Sequence, residues 1–100
     1  MQIKIIINDG YVSVDGVEYN GLDLSFVHPG IHAIQWNGEI GEVEVKDPVT
    51  KKMIANIEIH SIDQYQPVLD AWKRADDAAK AAREAAQIAA ANAALTEPTP

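Results

Sequence analysis

Glu42 and Glu44 stand two residues apart in the alternating run Glu42-Val43-Glu44-Val45. In a strand, that spacing puts both carboxylates on one side. Two carboxylates so placed can hold a cation or take part in glycoside chemistry. The plainer reading is a solvated strand face opposite Val43 and Val45, and nothing nearby supplies a matched acid and base. The three histidines are His28, His32 and His60. A metal site needs ligands that converge on one ion. His28 and His32 are four apart, but Pro29-Gly30 between them rules out a shared helix face, so all three read as structural or surface residues. Ser13, Ser25 and Ser61 lie in no nucleophile-elbow context. The six glycines sit in or beside turns, and none forms a phosphate-cradling loop. Cysteine is absent, which removes a disulfide scaffold, thiolate zinc and a Cys nucleophile. The expectation is a protein that is not an enzyme, with no catalytic, cofactor-binding or metal-binding residue and no cofactor. One large side chain remains. Trp36 stands beside Asn37-Gly38, where an indole either anchors a partner or plugs the core with its N–H satisfied nearby. The core role is favoured, and Trp36 and Asn37 remain candidate partner contacts.

The elements that must position these residues divide the chain near residue 61. All six glycines lie in residues 1–60, whereas thirteen of the fifteen alanines lie in residues 64–95. Such a shift marks a change from sheet to helix. Residues 2–7, 11–14 and 17–19 are β-rich and separated by Asn8-Asp9-Gly10 and Asp15-Gly16, with Asn20-Gly21 following. Closely spaced turn dipeptides of this type predict a tight meander. Leu22-Asp23-Leu24-Ser25-Phe26 alternates and predicts a fourth short extended piece. Two longer strands, 31–36 and 40–45, flank Asn37-Gly38, the strongest hairpin signal in the chain. Residues 53–60 read as a last strand or as an irregular link to the helix, with the strand favoured.

The remainder predicts one long helix. Ser61 or Asp63 is the expected N-cap, and Pro67 suits the first turn. The apolar positions Tyr65, Val68, Trp72, Ala75, Ala79, Ala82, Ala86, Ala89 and Ala93 alternate in threes and fours, the spacing of a coiled-coil seam. The front of the seam is large and suits packing on the β domain. The back is alanine, which buries little area and allows close approach of a second helix. Asp77 with Lys80, and Asp70 with Lys73 and Arg74, are the expected ion pairs along it. Two other readings remain open: the helix folds back on its own domain, or it stands as a free or partly disordered tail, because alanine favours helix without any partner.

The whole chain has 100 residues, 15 acidic and 8 basic side chains, and a net charge of −7. A phosphate backbone needs clustered Lys and Arg, so nucleic acid is not an expected partner. The apolar start is too short for a secretory signal, and no run approaches a membrane span. The protein is expected to be cytoplasmic when made. The predicted fold class is α+β: a small antiparallel β domain, meander or sandwich-like, over 1–60, a long Ala-rich helix over 61–95 that self-associates or docks, and a disordered tail over 96–100.

The segment Ile31-His32-Ala33-Ile34-Gln35-Trp36-Asn37-Gly38-Glu39-Ile40-Gly41-Glu42-Val43-Glu44 resembles one common in small proteins of tailed bacteriophages. There a strand ending in Gln-Trp is followed by a polar turn and then Gly-Glu-hydrophobic-Glu. The opening fits too, through Gly10-Tyr11-Val12-Ser13-Val14-Asp15-Gly16-Val17 and the Leu-Asp-Leu piece at 22–24. Val68-Leu69-Asp70-Ala71-Trp72 is similar to the Trp-containing helix that follows in many such proteins. The resemblance implies a tail-fibre-associated or tail-fibre assembly protein whose partner is the fibre chain, acting in the host cytoplasm during assembly or on the virion tail. It implies no catalytic residues. Candidate partner contacts are Trp36, Asn37, Tyr65, Val68, Trp72, Ala75, Ala79, Ala82 and Ala86, with the chain a homodimer or homotrimer. The alternative is an acidic phage inhibitor of a basic host protein, since residues 1–60 carry nine acidic against four basic residues.

Overall fold

The computed structural model describes residues 1–96, with no account of the Thr96 side chain. Of the expected tail, residues 97–100 lie outside the described residues. Six strands form one antiparallel sheet: β1 (Ile3–Ile6), β2 (Tyr11–Val14), β3 (Val17–Tyr19), β4 (Ile31–Trp36), β5 (Gly41–Lys46) and β6 (Met53–Ile59). Their order is β3-β2-β1-β4-β5-β6. Two three-stranded meanders thus lie side by side and are joined where β1 pairs with β4. A 3-10 turn, Asp63–Tyr65, leads into the helix α1, Gln66–Thr96. The α+β class, the small β domain and the single helix are as the sequence predicts.

Alternation along the strands makes one face apolar and one polar. The central row of the apolar face runs Val12–Ile5–Ile34–Val43 through direct cross-strand pairs, and all four side chains are buried. The next row is Val14–Ile3–Trp36, followed by Gly41 and Ile59. The second layer over this face is not another sheet. It is the first half of α1, which packs on β2 and β3, together with Leu24 and Ile62 from the connecting segments.

Two expectations are corrected. Residues 22–26 form no strand. The segment is tied down by the Leu22 N–H on the Gly10 carbonyl and closes a turn with the Val27 N–H on the Leu24 carbonyl. Leu24 drops into the core while Asp23 accepts from the Ser25 backbone and hydroxyl. The piece serves as a core plug because β1, paired on both sides, leaves no free edge in the middle of the sheet. Neither Ser61 nor Asp63 caps α1 directly. Ser61 Oγ accepts the Asp63 N–H at 3.2 Å, at the start of the 3-10 turn that intervenes. Pro67 is the second helical residue, where its missing N–H costs nothing.

The helix of 31 residues spans about 46 Å at 1.5 Å per residue, and the molecule measures 70 × 30 × 17 Å. Much of α1 therefore projects beyond the sheet. Among the described residues, no helix is long and apolar enough to cross a membrane.

Candidate functional site

The helix seam divides in two. Val68 and Leu69 are buried, and Tyr65 and Trp72 are partly buried against the core. Ala75 and Ala79 are half-buried. The first four of these positions pack into the chain's own core. Every residue from Lys80 to Leu95 is exposed, including Ala82, Ala86, Ala89 and Ala93. The front of the seam is thus an intramolecular contact, and the back is an exposed, alanine-rich rod.

A polar latch marks the point of departure. Trp72 Nε1 donates to the Val17 carbonyl at 2.9 Å. The Tyr19 ring meets Trp72 edge-on, with centroids 6.1 Å apart. The Tyr19 hydroxyl donates to Asp76 Oδ1 at 2.7 Å, and Lys80 Nζ lies 2.8 Å from Asp76 Oδ2. Among the described residues, Asp76 is the buried charged side chain, at 7% exposure. The Lys80 ammonium, and then the Tyr19 hydroxyl, hold its carboxyl below the usual carboxylate range. The same contact with Asp76 raises Tyr19 and Lys80 above their ordinary values. The sequence reading overlooked Asp76 and paired Lys80 with Asp77. The observed pairs are Lys80–Asp76 and Lys73–Asp77, both i,i+4, while Asp70 accepts from Gln66 Nε2. Asp76 lies four residues from Trp72 and seven from Leu69, so helical phase alone placed it on the buried stripe.

Trp36 is in the core at 8% exposure, directly opposite Gly41. A Cβ at Gly41 would collide with the Gln35 carbonyl oxygen and the Trp36 ring. The Gln-Trp-turn-Gly-Glu pattern is therefore a packing solution: the indole lies over a residue that must have no side chain. Asn37 Oδ1 accepts the N–H groups of Glu39 and Ile40, at 2.9 and 2.8 Å, and shapes the hairpin turn.

The polar face of the sheet carries the carboxylates. Glu42 lies directly opposite Glu58, and Glu44 opposite Asn56. His60 Nε2 lies 3.1 Å from Glu58 Oε2. A shallow depression beside them is lined by Lys4, Ser13, Gln35, Asn37 and Glu42, among others. His28 Nδ1 accepts the Gly30 N–H at 2.9 Å and so belongs to a loop. Among the described residues, no group of His, Asp and Glu is arranged to hold a metal ion.

No family model matches the chain, and no curated protein or solved structure matches it either.

Proposed function

We propose that this chain is a bacteriophage tail-fibre accessory protein, an assembly chaperone or small fibre-bound subunit that works through protein–protein contacts. The observation that carries the reading is the exposed, alanine-rich rod. Sixteen residues, 80–95, are fully helical and exposed, with alanines at seam positions 82, 86, 89 and 93. A stripe of methyl groups permits close helix approach and has no use in the chain's own core. In this reading the rod packs with copies of itself or along a trimeric fibre, while the β head covers apolar surface or open strand edges on the fibre chain during assembly. The Gln35-Trp36 to Glu44 resemblance supplies the phage context, and the work is done in the host cytoplasm.

The test is co-expression of this chain with the tail-fibre chain of the same phage. Soluble, trimeric fibre is expected to increase with the wild-type chain and to fall back with Ala82→Glu/Ala86→Glu. Unchanged fibre yield and trimer content without the protein would sink the reading. The glutamates on the polar face favour a second reading, an inhibitor of a basic host protein. Pull-down of a host nuclease or DNA-binding protein in place of fibre would support it.

A further inference from the structure

The sheet has two unequal edges. The β3 edge has three residues, and α1 packs against this end of the sheet. The β6 edge has seven residues, Met53–Ile59, and among the described residues no element pairs with its outer side. The ladder settles which groups it offers. The β4–β5 hairpin is closed by the Asn37 N–H on the Ile40 carbonyl at 3.0 Å. In an antiparallel ladder the bonding direction alternates residue by residue. Gly41, Val43 and Val45 therefore turn their amides toward β6 and engage Ile59, Ile57 and Ala55, their register partners. Asn56 and Glu58 are left with N–H and C=O directed outward.

The side chains beside this edge differ by face. On the apolar face Ile57 is 50% exposed, and Ala55 and Val45 are only half-buried, because α1 covers the other end of the sheet. On the polar face Glu42, Glu44 and Glu58 cluster with Asn56. His60 beside Glu58 and Lys46 opposite Met53 are the basic groups of this pair of strands. Glutamates directly opposite each other repel, so a cation added in the same row relieves strain already present.

We propose that β6 is a docking edge for an extended segment of another polypeptide that alternates apolar and basic residues. The segment adds as a seventh strand. Its backbone bonds to Asn56 and Glu58, its apolar side chains cover Ile57 and Ala55, and its Lys or Arg side chains lie against Glu58 and Glu42. This is strand addition, with main-chain bonds supplying affinity and alternate side chains supplying choice. The proposal deepens the fibre-accessory reading and rests on it for the natural source of the strand.

The test uses synthetic peptides, so it stands or falls apart from the fibre. The full chain is titrated with a seven-residue peptide alternating Val and Lys, one alternating Val and Glu, and one with the Val/Lys composition in blocks. Amide shifts of residues 53–59 are the readout. The alternating Val/Lys peptide is expected to move the Asn56 and Glu58 amides and slow their hydrogen exchange. The other two are expected to bind at least tenfold more weakly. Asn56→Pro removes an outward N–H without touching a β5 bond and is expected to abolish binding. Glu58→Lys is expected to invert the preference between the Lys and Glu peptides, which keeps the test alive if the proline variant fails to fold. Equal binding of all three peptides, no response, or shifts confined to β3 or the rod would overturn the proposal. So would concentration-dependent shifts at Asn56 and Glu58 without peptide, which would make a second copy of this chain the occupant.

Discussion

Asp76 is a charged residue placed where a helix leaves its sheet, and its protonation state couples to whether the helix stays there. Its carboxyl is held below the ordinary range by Lys80 and Tyr19. A depressed folded-state value means the ion contributes stability above the unfolded value, and that contribution is lost as pH falls through the folded one. The latch should therefore be intact at neutral pH and loosen below about pH 4. Tyr19 and Lys80 are raised, so their share is present at neutral pH and lost only in strong alkali. The expected outcome is an acid-induced change in tryptophan emission, reporting Trp72, with the Asp76→Asn variant showing a flatter acid limb. At neutral pH that variant should melt earlier than wild type. Ile34 is different in kind. It is fully buried and paired with Ile5 and Val43. Ile34→Ala is expected to cost about 2–5 kcal/mol, read as a lower urea midpoint. Such a loss is a large part of a total that is only about 5–15 kcal/mol for a domain.

The hairpin of β4 and β5 shows why its motif reads as it does. Trp36 needs depth on the apolar face, and Gly41 opposite it supplies that depth. Gly41→Ala should push the indole and the Gln35 carbonyl apart and destabilise the head by about 1–3 kcal/mol, the usual cost of overpacking. Near-ultraviolet dichroism of Trp36 checks it. The strands were legible in the sequence because short β-branched runs, several of them alternating apolar and polar, lie between turn signals. Residues 22–26 show the limit of that signal. Leu22 and Leu24 alternate like a strand, yet one plugs the core and the other only borders it, because alternation records burial on one side and says nothing of a hydrogen-bonding neighbour. The helix was legible from alanine content and Pro67, but its first turn was not, since Ser61 supports a 3-10 turn as readily as an α-helical one.

At the scale of the molecule, the chain is a sheet covered at one end of its apolar face, with a rod leaving that end. In the fibre-accessory reading the rod from Lys80 onward sets how many copies gather. Light scattering of the full chain is expected to give a dimer or trimer, and a chain ending at Glu84, which keeps Tyr19, Trp72, Asp76 and Lys80, is expected to be a monomer with an unchanged head. A monomeric full chain at high concentration would remove self-association from that reading and leave docking on the fibre.

The sequence by itself determined the two-part division, the places of the six strands that form and the long helix, because propensity, turn chemistry and apolar period act over a few residues; it also marked residues 22–26 as extended, which the fold does not use as a strand. Only the tertiary structure decided that the seam changes role near Lys80, that Trp36 belongs to the core, that Asp76 meets Tyr19, and that β6 rather than β3 is the open edge. Each of these depends on which surfaces meet across the fold, between residues as far apart as Tyr19 and Asp76, and local pattern carries no record of distant neighbours.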